Sequence, residues 1–355
     1  MKKILVLGGT GAMGLYLVPE LVKKGYQVDV VALDAPESNY ENLRYIKANA
    51  HDIVFLKKQL SQNYDAVIDF LYHNSVEYEK KYALFLENTS QYIYLSSYRV
   101  YAGGTEPLNE QSKRLTDISE ILANEAFMKT DDYALMKIRT EDILLNSKYR
   151  NYTILRPAIT FSKNKFQLMS LEADYVLRRA FQKKAVVLPR EAMGKQCCMT
   201  WAGDVAKMLS RLFFNDKAMG EVFIVGTAEH HPWSYIADCY KQAVGLEIVE
   251  SSREEFFRII SNTPDEYNAA KWRLDYDRMY DRMVDNSKIL AATGLTQSDF
   301  TPVWDALKME LTGLSERLQA EGFTAASLAA KWPAFSPKSD RKMDEFIAKA
   351  GQALL

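Results

Sequence analysis

The chain has 355 residues, 48% hydrophobic and 26% charged, enough for a large core in two domains or in one large domain with a cap. Its 45 basic and 46 acidic residues leave a net charge of −1, which excludes any bulk electrostatic case for nucleic acid or an anionic membrane as partner. The cysteines are Cys197, Cys198 and Cys239, an odd count with two adjacent. That points to a reduced, cytoplasmic protein, and no apolar stretch approaches the length of a membrane span.

The apolar run at residues 4–7 predicts a first strand. Lys2-Lys3 stand before it as they would before a secretory leader, but four apolar residues are too few for a leader core. Residues 13–24 read as a helix, with Leu15, Leu17, Val18, Leu21 and Val22 on one face. Pro19 predicts a kink or a lost hydrogen bond, and Gly25 ends the helix. Further strands are expected at 27–33, 66–71, 92–95 and 153–155, with a late strand at 222–225 returning to the same sheet. Helices are expected at 165–180 and 203–214. From about Trp233 the pattern is mostly helical, and residues 332–337 (WPAFSP) predict a rigid break between two helical stretches of the tail. The alternation of strands and helices in the first half predicts an α/β fold with a parallel sheet.

Between the first strand and helix stand Gly8, Gly11 and Gly14, spaced three apart. The first lets the chain turn tightly. The second lets the backbone approach a pyrophosphate, and the third lets helix and sheet pack closely. The helix N-terminus then offers free N–H groups and a positive dipole end. Asp34 stands 20 positions beyond Gly14, at the end of the second strand. A carboxylate there accepts hydrogen bonds from the adenosine ribose hydroxyls and repels a 2′-phosphate. No arginine or lysine lies in residues 35–42, so the sequence favours NAD over NADP.

Tyr133 and Lys137, four apart, share one face of a helix. A phenol of pKa about 10 is a poor base at neutral pH, and a neighbouring ammonium is expected to lower it. The phenol then takes a proton from a hydroxyl as hydride leaves the carbon, or returns one in the reverse direction. Such a pair is common on solvated helix faces, and the chain has 21 tyrosines. It gains meaning from the glycine turn before it and from Ser97 between them.

The ordered set extends further. It includes Asp52-Ile53, residues 95–101 (LSSYRVY), Asn109-Glu110, Glu141, Leu155-Arg156-Pro157, Asp204-Val205 and the strand at 221–226. With it the chain resembles the extended short-chain dehydrogenase/reductase family, the NAD-dependent epimerases and dehydratases acting on nucleotide sugars. The resemblance spans about residues 1–300 and is densest up to 160. It implies a doubly wound parallel Rossmann sheet with a smaller, mostly helical C-terminal substrate lobe. The Rossmann domain would be 1–160 with 200–226 returning to it, the lobe 161–199 and 227–315, and a helical extension 316–355. It implies NAD held by Gly8, Thr10, Gly11, Ala12, Met13, Gly14, Asp34, Asp52, Ile53, Phe70, Leu71, Tyr133, Lys137 and Pro157. Ser97 would hydrogen-bond the reacting oxygen, Tyr133 would be the acid/base, and Lys137 would bind ribose and tune Tyr133. The implied substrate is a sugar nucleotide or related small molecule, and the implied assembly is a homodimer through helices at 115–126 and 133–146. No metal is implied.

Three departures and two further candidates bear on chemistry. The turn after the third expected strand is bulky, Phe70-Leu71-Tyr72-His73-Asn74, and His73 is either a second acid/base or a structural hydrogen-bonder. Residues 158–162 (AITFS) replace the asparagine-tyrosine-glycine segment that touches the substrate diphosphate in sugar-nucleotide enzymes. Tyr98 and Arg99 stand where the family's dehydratases carry an acid pair, and arginine releases no proton at useful pH; oxidation–reduction or epimerisation is left. Cys197-Cys198 with His230-His231 do not form a recognised metal pattern. Residues 271–288, rich in Arg and Asp, read as a charged rim or as a contact to a phosphorylated substrate through Arg278 or Arg282. The rival reading is an NAD-binding, catalytically weak scaffold that recruits RNA or a protein partner, as in some plant chloroplast RNA-binding relatives.

Overall fold

The computed structural model describes residues 1–104, 106–324 and 336–352. Its centre is a seven-stranded parallel sheet. The strands are β1 (Lys3–Leu7), β2 (Gln27–Ala32), β3 (Leu43–Lys47), β4 (Ala66–Asp69), β5 (Gln91–Leu95), β6 (Tyr152–Pro157) and β7 (Glu221–Val225). They lie in the order β7-β6-β5-β4-β1-β2-β3. The winding reverses at β1, which pairs with both β2 and β4; in such folds ligands bind beyond the carboxyl ends of the strands at that switch point.

The apolar runs become central strands because helices cover both faces of the sheet. Successive β1 residues point to opposite faces. Ile4 and Val6 pack with Leu17 and Leu21 of α1 (Gly14–Lys23). Leu5 and Leu7 pack on the other side with Leu56 of α2 (Ile53–Leu60), Phe85 of α3 (Tyr82–Asn88) and Leu144 of α4 (Tyr133–Leu145). Val205 and Leu209 of α5 (Ala202–Ser210) complete the first face. α1 runs through Pro19 without a break.

A further core joins Phe161, Val187, Trp233, Phe257 and Leu311. Two long C-terminal helices pack on it. α6 (Val303–Ala320) buries Leu307, Leu311, Leu314 and Leu318; its Glu310 accepts from the Trp201 indole at 2.7 Å and from the Tyr16 hydroxyl of α1. α7 (Pro337–Gln352) is held by Arg179, whose guanidinium reaches Asp340 and Asp344, each at 2.6 Å. No described helix is long and apolar enough to cross a membrane.

Several expectations are corrected. Residues 165–180 are not one helix: Gln167–Leu168 and Leu171–Glu172 pair antiparallel, and the helix starts at Ala173. The turn holds Met169 at φ 56°, a left-handed conformation that a run of apolar residues does not announce. Residues 115–126 are a 3-10 turn and one-turn helices rather than one continuous helix, because Ile118 is extended at φ −107°, ψ 118° and the Asp117 carboxylate folds back onto the Arg114 N–H. A two-helix dimer interface through 115–126 and 133–146 therefore lacks one of its helices. The third expected strand ends at Asp69 instead of Leu71, since the Asp69 carboxylate turns back to accept the Leu71 N–H at 2.9 Å. Most of the expected break at 332–337 lies outside the described residues.

Candidate functional site

The glycine turn sits at the carboxyl end of β1. Gly8 has φ +74°, open to glycine at little cost, and the Gly11 N–H closes the turn onto Gly8 O at 3.1 Å. A Cβ on Gly14 would overlap the Gly9 backbone, and one on Gly11 would press on Gly8 O at 3.3 Å. Phe70 and Leu71 close the turn from the side; a Cβ on Gly8 would meet them at 3.5 and 3.2 Å. Among the described residues the N–H groups of Ala12 and Met13, at the start of α1, donate to nothing. Free donors at a helix start suit a pyrophosphate. Asp34 is exposed just beyond β2, and Thr10 Oγ1 donates to its Oδ1 at 2.6 Å, tethering the acid beside the turn. The cradle thus fits a dinucleotide. Asp52 stands apart from that work: its Oδ1 caps α2, accepting from Val54 N at 2.8 Å and Phe55 N at 3.3 Å. Ile53 beside it is 36% exposed.

Ser97 follows β5. Its backbone is extended, and its Oγ accepts the Arg99 N–H at 3.2 Å, starting a short turn. Asp132 caps α4 by accepting from Ala134 N at 2.9 Å, which places Tyr133 at the first helical position. One helical turn on, Lys137 is buried, and its Nζ donates to Leu95 O at 2.6 Å and to Tyr94 OH at 3.3 Å. The lysine therefore pins α4 to the end of β5, with Nζ 5.7 Å from the centre of the Tyr133 ring.

The electrostatics differ from expectation. Burial raises the Tyr133 phenol above its ordinary value, opposed first by the Arg99 charge and then by the Ser97 hydroxyl. The Arg99 guanidinium carbon lies 5.3 Å from the ring centre. Burial in turn pushes the Lys137 ammonium down to about 8, against the pull of Asp69 and Glu141. Arg99, read from sequence only as the loss of an acid, is thus a cation acting on the phenol. Tyr72, 52% exposed, stacks on Tyr133 with ring centres 6.4 Å apart.

One cleft of about 360 Å³ gathers Met13, Ser97, Arg99, Tyr133 and Pro157. Its far wall comes from beyond β6, with Lys165, Gln167, Glu172, Arg273 and Arg278. Of the expected site residues, Met13, Ser97, Tyr133 and Pro157 line the cleft and Lys137 lies behind it. Gly8, Thr10, Gly11, Ala12, Gly14 and Asp34 form the adjoining turn. Lys165, Gln167 and Arg273 carried no motif; only the run at 271–288 hinted at the last.

Other candidates resolve as structure. His73 is fully buried, with Nε2 2.8 Å from Asp69 Oδ2. It comes together with His51 and Glu77, but the Lys81 ammonium sits on the same Glu77 oxygen that His51 contacts, which makes the group a hydrogen-bonded network. Arg282 is committed to Asp277 and to the Tyr101 and Ala102 carbonyls, so of the pair Arg278 and Arg282 only Arg278 faces the cleft. Cys197 and Cys198 are buried thiols, and His231 bonds Glu229.

Residues 4–226 match the family described as the NAD dependent epimerase/dehydratase family. The chloroplast stem-loop binding protein of 41 kDa b from Arabidopsis thaliana is 26% identical over 274 residues, covering 72% of this chain and 67% of that protein. Among solved structures, MoeE5 in complex with UDP-glucuronic acid and NAD aligns with a TM-score of 0.65 at 16% identity, covering 89% of this chain and 99% of that one. The Bordetella bronchiseptica enzyme WbmH in complex with NAD+ aligns with a TM-score of 0.65 at 15% identity and the same coverage, 89% and 99%. Likeness at this level is likeness of fold. With a dinucleotide cradle at the switch point of its sheet and a match over most of its length, the chain belongs to the NAD dependent epimerase/dehydratase family, and its cofactor is NAD.

Proposed function

We propose that the chain is an oxidoreductase or epimerase acting on a hydroxyl or keto carbon of a sugar nucleotide or related small molecule, with Ser97, Tyr133 and Lys137 as its acid–base set. The observation that carries this reading is the convergence of Ser97, Tyr133, Met13 and Pro157 on one cleft beside the glycine turn. NAD, when bound, supplies the hydride acceptor or donor. The free N–H groups of Ala12 and Met13 would hold its pyrophosphate and Asp34 its adenosine ribose. Ser97 orients the reacting oxygen by hydrogen bonding. Tyr133, kept protonated by burial, gives its proton to that oxygen when a ketone is reduced and takes one back on oxidation. Arg99 and Lys137, 5.3 and 5.7 Å from the ring centre, stabilise the phenolate left behind.

In this reading residues 161–199 and 227–315 form the substrate lobe over a Rossmann domain of 1–160 and 200–226, and the described helices of the extension 316–355 buttress the lobe. The far wall of the cleft, drawn from Lys165 to Glu172 and from Arg273 and Arg278, supports that division. Three buried, unpaired thiols support a cytoplasmic setting. The homodimer of this reading would use α4, and light scattering coupled to size-exclusion chromatography checks it.

The test is Tyr133→Phe. It is expected to bind NAD as the parent does and to lose turnover by about 10²–10⁴-fold, measured as nicotinamide absorbance change across a panel of UDP-glucose, UDP-glucuronic acid and related sugar nucleotides. Full activity in the variant would overturn the assignment. The name of the Arabidopsis thaliana relative favours a second reading, stem-loop RNA recruitment. RNA retention that falls steeply with salt would support it.

A further inference from the structure

The cleft holds more positive charge than the fold itself uses. The Arg99 side chain is 13% exposed, yet among the described residues none of its guanidinium N–H groups makes a hydrogen bond. Its Nε lies 3.3 Å from Asp277 Oδ2 without the alignment of a hydrogen bond, and its Nη2 lies 3.8 Å from Asp132 Oδ1. Asp277 is already claimed: Arg278 contacts it directly and Arg282 Nε donates to it at 3.1 Å. Arg273 has one partner, Glu172, at 2.9 Å. Lys165 forms no ion pair among the described residues, and the Gln167 side chain, 4% exposed, has no hydrogen-bond partner there.

Four cations line the cleft (Arg99, Lys165, Arg273 and Arg278) and Arg282 lies behind them on Asp277, against three nearby carboxylates (Asp132, Glu172 and Asp277). The cluster thus carries two positive charges more than its carboxylates answer, at the wall of a partly closed site. Buried guanidinium donors without acceptors are unfavourable by themselves. Their planar fork is the geometry that grips a carboxylate or phosphate through paired hydrogen bonds. The location narrows the ligand further. Arg99 lies 5.3 Å from the centre of the Tyr133 ring, and in the proposed function Tyr133 exchanges a proton with the reacting oxygen.

We infer that Arg99, with Arg273 and Arg278 beyond it, receives an oxyanion that the substrate carries a few bonds from its reacting carbon. The substrate class is then a sugar acid or a sugar phosphate, charged on the reacting sugar itself rather than only on a distant diphosphate. This rests on the reading of Ser97, Tyr133 and Lys137 given above.

Calorimetric titration of the full-length, NAD-loaded protein tests it, with glucose, glucuronate and glucose 6-phosphate as probes. At least one charged sugar is expected to bind about tenfold or more tightly than glucose, with an advantage that shrinks as salt rises. Glucuronate ahead identifies a carboxylate ligand; glucose 6-phosphate ahead identifies a phosphate. Arg99→Met removes the advantage, and Arg99→Lys, which keeps the charge but loses the fork, retains part of it. NAD affinity measured on both variants reports their folding; if Arg99→Met fails to fold, Arg99→Lys and the salt dependence decide. Equal binding of the three sugars, binding of none, or an advantage that survives in Arg99→Met overturns the inference. NAD binding with hydride transfer from an uncharged sugar to the cofactor and no preference for charge would leave the proposed activity standing and remove only this inference. A parent protein that binds no NAD removes both.

Discussion

Lys137→Met should make the cofactor-free protein more stable at pH 7 while destroying its activity. The Lys137 side chain is 2% exposed, and burial lowers its ammonium from 10.5 to about 8. At 1.36 kcal/mol per pH unit, keeping that charge in the fold costs about 3 kcal/mol at neutral pH. The lost hydrogen bond to Leu95 O, 2.6 Å in the parent, gives back about 1 kcal/mol, so the variant gains about 2 kcal/mol net. The sign follows from proton counts. Below about 8 the lysine is protonated both folded and unfolded, and the full cost is present. Between about 8 and 10.5 the folded state has released the proton and the unfolded state still binds it, so parent stability rises with pH. Urea unfolding of both proteins, followed by tryptophan fluorescence at pH 7 and pH 10, is the assay; their difference cancels the other titrating groups. The advantage of the variant should shrink by about 2 kcal/mol between the two pH values. A gap that does not change with pH, or a less stable variant at pH 7, refutes the argument.

Three more perturbations bear on cradle and scaffold. Arg156→Met strips a bidentate pair from Glu141, which is 0% exposed with contacts at 2.9 and 2.6 Å. Urea midpoints should show a loss of about 3–5 kcal/mol, because a buried carboxylate is left with only the Arg114 guanidinium at 3.8 Å. Asp34→Ala removes an exposed acceptor beside the turn; calorimetry should show NAD binding weakened by about tenfold to a hundredfold with unchanged thermal stability. Gly14→Ala drives a Cβ into the Gly9 backbone and must lift α1 off the turn. It should lower stability by about 1–3 kcal/mol and abolish the NAD-dependent rise in melting temperature.

What was readable in the sequence follows from burial. β1, β4 and β5 are covered on both faces, so their apolar runs stand out against any background. β3 (Leu43–Lys47) was missed because it is the sheet edge: Arg44 and Lys47 break its apolar pattern, as edge strands require. The hairpin at 167–172 was read as helix because its turn uses Met169 in a left-handed conformation, where glycine would have been a signal. At the site, Ser97, Tyr133 and the glycine turn were legible because their spacing is set by local backbone geometry. Arg99, Lys165, Gln167 and Arg273 were not, because only the folding of distant segments onto one cleft brings them together. Asp52 carried a signal read differently: an aspartate before an apolar run is also a helix cap, and its carboxylate is used that way.

Arg156 and Arg99 are both removed from solvent, within one fold, and their difference separates scaffold from site. Arg156 donates to both oxygens of Glu141 and to the Tyr101 hydroxyl at 2.6 Å. Its donors are satisfied, and its charge is answered by a carboxylate at full burial, which is what a fold needs from an internal ion. Among the described residues the Arg99 guanidinium makes no hydrogen bond, and it shares its nearest carboxylate with Arg278 and Arg282. Lys137 is under-compensated too, with burial holding its ammonium down to about 8, while burial raises the Tyr133 phenol and so keeps it neutral. Two under-compensated cations would be an error in a core, yet here both stand near Tyr133 at the edge of one cleft. Local rules fail where a structure is shaped for something other than its own stability. The unmet demands are for an anion beside Arg99 and for a proton partner at Tyr133. A charged carbinol or keto substrate answers both, so the stability cost read from Lys137 and the ligand preference read from Arg99 are two measurements of the same built-in strain.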